Sequence, residues 1–203
     1  MGYVIVILAA YLMGSSSMAF YLSRLKKVDA RQAGSGNLGA SNVTVLMGWP
    51  AGIAVAVHDI GKGVLAVVLA GMLFPQLPHI GAAAGVACVL GHIFPFYLKF
   101  RGGKGLASYL GMTLALNWKF ALVVMALVLL VTLITDYIAL GTLTTVVVVP
   151  AYLGIAGRSV ILAAILLVAT LVMIFKHRDN LMRIRNGTEI GLRSTAKGEH
   201  RVS

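Results

Sequence analysis

Long apolar runs, separated by short polar stretches, dominate the chain. Runs suited to crossing a membrane lie at 3–23, 48–74, 79–98, 105–117, 119–135, 137–156 and 159–175. A hydrocarbon layer about 30 Å thick takes about 20 largely apolar residues as a helix, with about 17 as the lower end. Six of the runs are long enough. The run 105–117 is short, reaching about 20 Å at about 1.5 Å per residue. It reads as a half-helix, or as a hairpin with 119–135 that turns at Asn117-Trp118-Lys119. A transmembrane β-barrel would show short segments of alternating polarity, and these runs are continuous.

Composition supports the membrane reading. The residues AVILMFWYC make up 59% of the chain, and 23 of its 203 residues are glycine. Together they approach about 70%, against roughly 45–50% in soluble proteins. Charged residues are 11%, too few to clothe a soluble globule. Disordered chains lack such apolar content. One cysteine, Cys88, excludes a disulfide scaffold, and no Cys/His cluster has zinc-ligand spacing.

Charge orients the bundle. Fourteen of the 17 Lys and Arg residues fall in three segments. Arg24, Lys26, Lys27 and Arg31 follow the first run. Lys99, Arg101 and Lys104 follow the third. Lys176, Arg178, Arg183, Arg185, Arg193, Lys197 and Arg201 follow the last. Seven crossings with the N-terminus outside place all three segments in the cytoplasm, whereas six would split them. The expected fold is therefore an all-α integral membrane protein: one domain over 1–203, a compact bundle of about seven transmembrane helices, with its C-terminus cytoplasmic. Positive charge follows the first run rather than preceding it, so that run does not read as a cleaved signal. The net charge of +11 does not imply nucleic acid, because the basic residues sit in loops beside hydrophobic helices.

Three polar blocks stand out on the face these basic segments share. The first is Gly34-Ser35-Gly36-Asn37-Leu38-Gly39-Ala40-Ser41-Asn42. Its glycines permit positive φ, and successive N–H groups in such a turn form an anion-binding nest. A helix beginning near Ala40 would add partial positive charge. Positions 34, 36 and 39 match GxGxxG, but no strand precedes them and Asp59 lies inside a span, so a dinucleotide site is not indicated. The second block runs from Gly91-His92 to Gly102-Gly103-Lys104-Gly105. A lysine among glycines can meet phosphate as a point charge. It is not a Walker loop, because Leu98 and Gly105 stand where glycine and Ser/Thr are required. His92 alone reads first as a hydrogen-bonded packing residue. The third block is Lys176-His177-Arg178-Asp179-Asn180, continuing through Arg183, Arg185, Asn186, Gly187 and Glu189. On a continuous helix His177 and Asn180 share a face. Arg193, Lys197 and Arg201 read as a tail touching anionic lipid.

His58, Asp59 and Lys62 lie within the second run. Intramembrane ionisable groups point to function by default, but Asp59 and Lys62, at i and i+3, read first as a structural ion pair. Thr142 lies near the same face as the blocks, and can serve a ligand or its own helix backbone.

Taken in order, GSGNLGASN at 34–42, GHIFPFYLKFRGGKG at 91–105 and KHRDNLMRIRNGTE at 176–189 resemble the three signature blocks of the bacterial acyl-phosphate:glycerol-3-phosphate acyltransferases, the PlsY family. The likeness runs over almost the whole chain. Ser41 and Thr142 stand where threonine and serine are more usual, and both keep a hydroxyl. The resemblance implies transfer of a fatty acyl group from acyl phosphate to the sn-1 hydroxyl of glycerol 3-phosphate, giving lysophosphatidic acid and orthophosphate at the cytoplasmic face of the bacterial inner membrane. It implies no cofactor, no metal and no protein partner, and use of neither acyl-CoA nor acyl carrier protein directly. The HxxxxD signature of other glycerol-phosphate acyltransferases is absent.

The resemblance places Ser35, Lys104, His177 and Asn180 in catalysis. It places substrate binding on Gly34, Ser35, Gly36, Asn37, Gly39, Ala40, Ser41, Asn42, His92, Gly102, Gly103, Lys104, Gly105, Thr142, Lys176, His177, Arg178, Asn180 and Glu189. Acyl phosphate is already activated, Cys88 lies within a span, and no Ser–His–acid constellation is evident in the sequence. Direct, substrate-assisted transfer follows, with His177 as the alternative general base. The competing class is a small anion transporter or channel. Such proteins tend to bind at mid-membrane between repeats, and no repeat is visible here.

Overall fold

The structure, a computed structural model, describes residues 1–193. Lys197 and Arg201 of the expected lipid-touching tail lie outside the described residues. Ten α-helices follow one another, with no strand among the described residues. They are α1 Gly2–Ser15, α2 Met18–Lys26, α3 Ala40–Met47, α4 Trp49–Leu73, α5 Ile80–Ile93, α6 Leu106–Leu116, α7 Trp118–Thr135, α8 Ile138–Ala156, α9 Val160–Lys176 and α10 Arg178–Arg185. A single 3-10 turn, Phe96–Leu98, follows α5.

Five stretches are long and apolar enough to cross a membrane: α1 with α2, α4, α5 with the 3-10 turn, α7, and α8. A sixth is α9 with α10, bent by 42° between them. The helix α6, at 11 residues, is shorter than these. The expected single run 3–23 is broken at Ser16-Ser17. Ser17 caps α2 by accepting the Phe20 N–H, and the Ser16 carbonyl accepts from Lys62 Nζ at 2.8 Å. A lysine from α4 thus occupies a carbonyl exposed where the helix is interrupted. Asn117 and Ser159 cap α7 and α9 in the same way, so each polar residue between two apolar runs starts the next helix.

Without water to drive association, membrane helices rely on close packing of small residues. Two reciprocal glycine pairs set close backbone crossings. A Cβ on Gly14 of α1 would lie 2.0 Å from the Cys88 carbonyl oxygen of α5. One on Gly91 of α5 would lie 2.1 Å from the Tyr11 carbonyl oxygen of α1. Gly63 of α4 and Gly111 of α6 do the same, at 2.3 Å from Ser108 O and 2.1 Å from Ile60 O. Around these pairs Val89, Tyr109, Met112, Val146, Leu166 and Met173 form the main core of α5, α6, α8 and α9. Large apolar side chains such as Leu129, Leu133 and Ile134 face outward.

The two ends of the bundle differ. At one end Tyr3 Oη donates to the Pro78 carbonyl at 2.8 Å, and Ser159 Oγ pairs with His79 Nε2 at 3.0 Å. The three polar blocks meet at the other.

Candidate active site

In the first block, Gly34 and Gly36 take positive φ, at 60° and 68°. A Cβ on Gly34 would also lie 2.3 Å from Asn42 Oδ1, so the turn requires glycine there. Asn42 is 3% exposed and its side chain is fully engaged. Its Oδ1 accepts the Ser35 N–H at 2.8 Å, and its Nδ2 donates to the carbonyls of Ala30, Ala33 and Asn37. Asn42 therefore staples the turn. The helix α3 begins at Ala40, as its glycine-rich approach suggests, and Gly39 offers no side-chain cap. Its first N–H groups are left for another acceptor.

The second block folds back on the end of α5. The N–H groups of Gly102 and Gly103 donate to the carbonyls of Ile93 and His92, at 3.0 and 3.1 Å. A Cβ on Gly103 would meet His92 Nε2 at 2.1 Å and the Leu38 carbonyl oxygen at 3.0 Å, so only glycine lets blocks one and two touch here. Gly105, at φ 99°, starts α6. Lys104 Nζ makes a short hydrogen bond to Asn180 Oδ1 of the third block. Burial pulls the Lys104 ammonium down to about 8, with the Arg183 charge adding in the same direction and Glu189 opposing.

In the third block the helix bends at His177 instead of running on. His177 Nδ1 lies 2.7 Å from the Met173 carbonyl. A carbonyl only accepts, so Nδ1 carries the proton and Nε2 keeps its lone pair. Asn180 Nδ2 donates to Glu189 Oε1 at 2.5 Å, and Arg183 Nε donates to Glu189 Oε2 at 2.7 Å. A polar chain thus runs from Arg183 through Glu189 and Asn180 to Lys104. Arg183, read in the sequence as a member of the third block without a site role, joins this chain through Glu189.

These elements enclose one cavity of about 480 Å³, within the range of small-molecule sites. Of the expected site residues, Ser35, Asn37, Gly39, Ala40, Ser41, Asn42, His92, Lys104, Gly105, Thr142, His177, Asn180 and Glu189 line it. Thr142 donates its hydroxyl to Ile138 O at 3.0 Å, leaving its oxygen as an acceptor. Gly34, Gly36, Gly102 and Gly103 stand behind the lining and shape it. Lys176 and Arg178 lie apart, over the rings of Phe94 and Phe175. The lining also includes the apolar side chains of Ile53, Ala56, Ile60, Leu106, Leu110 and Ile138. No signal in the sequence separates these from lipid-facing residues of the same helices.

The family profile for glycerol-3-phosphate acyltransferase matches residues 4–187. The chain belongs to this family. As a member it is an enzyme that transfers an acyl group to glycerol 3-phosphate, and it is an integral, multi-span membrane protein. The glycerol-3-phosphate acyltransferase of Coxiella burnetii (strain CbuG_Q212) is 42% identical over 190 residues, covering 93% of this chain and 97% of that protein. That of Geobacter sulfurreducens is 38% identical over 180 residues, covering 89% and 92%. The crystal structure of PlsY (YgiH), an integral membrane glycerol 3-phosphate acyltransferase in its glycerol 3-phosphate form, superposes with a TM-score of 0.90 at 31% identity, covering 97% of this chain and 98% of that one. Its lysophosphatidic acid form gives 0.85 at 32% identity, over 94% and 95%.

The acyltransferase also contains a Ser–His–Asp chain that sequence reading does not reveal. Ser16 Oγ lies 3.0 Å from His58 Nε2, and His58 Nδ1 lies 3.2 Å from Asp59 Oδ1. Ser16 and His58 are not among the residues lining the cavity. Cys88 is fully buried, donates to the Lys62 carbonyl at 3.5 Å and does not line it either.

Proposed function

We propose that the acyl donor is an acyl phosphate and that transfer to the sn-1 hydroxyl of glycerol 3-phosphate is direct. The observation that carries this reading is the division of the cavity lining between anion-binding groups drawn from three distant blocks and apolar side chains. A substrate pair with two phosphates and one fatty tail matches that division. In the reaction the glycerol oxygen attacks the acyl carbon, the bond to the phosphate oxygen breaks, and the hydroxyl proton passes to a phosphate oxygen. The products are lysophosphatidic acid and orthophosphate.

Two phosphates held together repel one another, so cations and fixed N–H donors must offset their charge. Lys104, the N-terminus of α3 and the Ser35, Asn37 and Ser41 side chains serve this purpose. Asn180, fixed by Glu189, holds Lys104 in place. His177 presents its Nε2 lone pair to the non-reacting hydroxyl of glycerol 3-phosphate and so positions the acceptor. Holding nucleophile and carbonyl in contact can supply about 7–11 kcal/mol of the barrier reduction. No cofactor, metal or protein partner enters this scheme.

We further infer seven crossings in one domain, with the N-terminus outside and the site at the cytoplasmic face of the inner membrane. What supports α6 as the seventh is its reach. It starts at the cavity, and a Cβ on Gly81, at the far end of α5, would lie 3.9 Å from Leu116 at the end of α6. The described Lys and Arg of the three basic segments then share the cytoplasmic side, in keeping with the positive-inside bias.

The test is simple. Purified protein in detergent is mixed with acyl phosphate, with glycerol 3-phosphate, and with both. Orthophosphate released only with both present supports transfer. Phosphate flux across liposomes without turnover would point instead to an anion transporter.

A further inference from the structure

The proposed chemistry leaves the buried cluster of Asp59, Lys62 and His92 without a task. All three are more than nine-tenths buried. Asp59 and Lys62 come from α4, and His92 from the end of α5. Lys62 Nζ stands 2.7 Å from Asp59 Oδ1, 2.8 Å from the Ser16 carbonyl and 3.0 Å from His92 Nδ1. An ammonium has three N–H donors and no acceptor, so these three contacts use all of them.

This settles the proton on His92. Were Nδ1 protonated, its N–H would face a Lys62 N–H at 3.0 Å, donor against donor, with Asp59 Oδ1 no nearer to Nδ1 than 3.5 Å. Nδ1 must instead accept from Lys62. The ring is then neutral and its proton is on Nε2. That nitrogen abuts Gly103, whose missing Cβ would overlap it at 2.1 Å. It takes no protein acceptor among the described residues, and His92 lines the cavity beside Lys104. Nε2 is not among the fully buried unpartnered atoms, so its N–H is open to the cavity and free to donate to a ligand.

We propose that Lys62 is a positioning residue that locks His92 in its Nε2–H form, so that His92 donates a hydrogen bond to a phosphoryl oxygen bound beside Lys104. The tautomer follows from the cluster alone. The ligand half rests on the acyltransferase reading above. The Asp59–Lys62 pair is then more than a neutralised buried charge: it keeps one lysine proton aimed at one imidazole nitrogen.

The test is ring ¹⁵N–¹H correlation of the full chain, labelled at its five histidines, in detergent micelles. His92→Gln identifies the His92 signals by their loss. The expected result is a single ring proton, on Nε2, near neutral pH. A proton on Nδ1, or on both nitrogens, overturns the proposal. Asp59→Leu with Lys62→Met removes both charges together and is expected to release His92 into a mixture of tautomers while the His79 and His177 signals stay in place; the His58 signal, which loses its Asp59 partner, moves as well. An unchanged His92 signal in that variant overturns the lock.

Titration then reads the ligand. A shift of the Nε2–H resonance with glycerol 3-phosphate assigns the acceptor's phosphate. A shift only with orthophosphate or a non-hydrolysable acyl phosphonate assigns the donor's. No shift with any of them overturns the donor role. In turnover, His92→Gln, which returns an N–H near the same place, is expected to keep at least about tenfold more kcat/KM than the shorter His92→Asn. Equal losses overturn the role. Wild-type protein that shows the Nε2 tautomer but does not consume acyl phosphate would sink the functional reading and leave the lock standing.

Discussion

Asp136 Oδ1 accepts the backbone N–H of Arg193 at 2.8 Å, across 57 positions of sequence. The Asp136 carbonyl accepts the Leu192 N–H at 2.9 Å, and Arg193 Nη2 donates to the Leu133 carbonyl at 2.8 Å. The chain after α10 is thereby tied to the α7–α8 turn, and Glu189 to Leu192 lie along the cavity. Asp136→Ala removes the side-chain half of this tie. One lost hydrogen bond at about 0.5–1.5 kcal/mol is expected to raise KM about 2- to 12-fold with little change in kcat. Asp136→Asn keeps an acceptor oxygen and is expected to cost less. Gly191→Ala would place a Cβ 2.0 Å from Asp136 Oδ2, so its cost is expected to shrink in the Asp136→Ala background. Steady-state kinetics of the four variants in detergent check this.

Lys104 links charge to pH. Burial lowers its ammonium to about 8. Below that pH the cation is present, and as pH rises through it the cation is lost. For the free enzyme, kcat/KM is therefore expected to fall above about pH 8. Bound phosphate favours the charged form, so the fall in kcat is expected at higher pH. Lys104→Ala removes a charged hydrogen bond worth about 1.5–3 kcal/mol, an expected loss of about 10- to 150-fold in kcat/KM. Lys104→Arg keeps its charge throughout and is expected to abolish the alkaline limb whatever rate it retains. The measurement is a pH–rate profile of all three proteins.

The glycine pairs make a stability prediction that is independent of chemistry. Gly63→Ala drives a Cβ into the Ser108 carbonyl, a backbone atom that cannot move aside cheaply. Such overpacking costs about 1–3 kcal/mol. Gly61→Ala, two residues earlier on the same helix, meets nothing within 4 Å and is expected to be neutral or mildly stabilising. Thermal unfolding in detergent should lower Tm for the first and leave it unchanged or raised for the second.

Much of this architecture is legible in the chain because membrane helices advertise themselves. The run read at 48–74 folds as Trp49–Leu73, and that at 137–156 as Ile138–Ala156. The three polar blocks were legible for a related reason: glycine, asparagine and histidine are conspicuous against an apolar background. Three features were not. The break at Ser16-Ser17 has a tertiary partner, Lys62, which no local pattern announces. The apolar part of the cavity lining uses residues such as Ile53 and Ile60, of the same type as those facing lipid. The tie at Asp136 exists only once the chain end returns to α7, and an isolated aspartate after a helix reads as a turn residue.

The Ser16–His58–Asp59 chain gives the sharpest test of the direct-transfer scheme. Its order of contacts is that of a nucleophilic triad, with the imidazole between hydroxyl and carboxylate. Two observations argue against that role. Asp59 Oδ1 is already paired with Lys62 at 2.7 Å, and neither Ser16 nor His58 lines the cavity. Ser16 also pairs with Tyr21 Oη at 3.2 Å, so its hydroxyl is a link in a helix–helix network. Ser16→Ala leaves the backbone carbonyl that receives Lys62 in place. It is therefore expected to keep kcat within about twofold of wild type, because the two hydrogen bonds lost, to His58 and Tyr21, join residues that do not line the cavity. Rapid quench of wild-type protein with labelled acyl phosphate alone is expected to leave no label on the chain. Label recovered on Ser16, or a loss of several hundredfold in Ser16→Ala, would establish a covalent route and end the direct-transfer scheme.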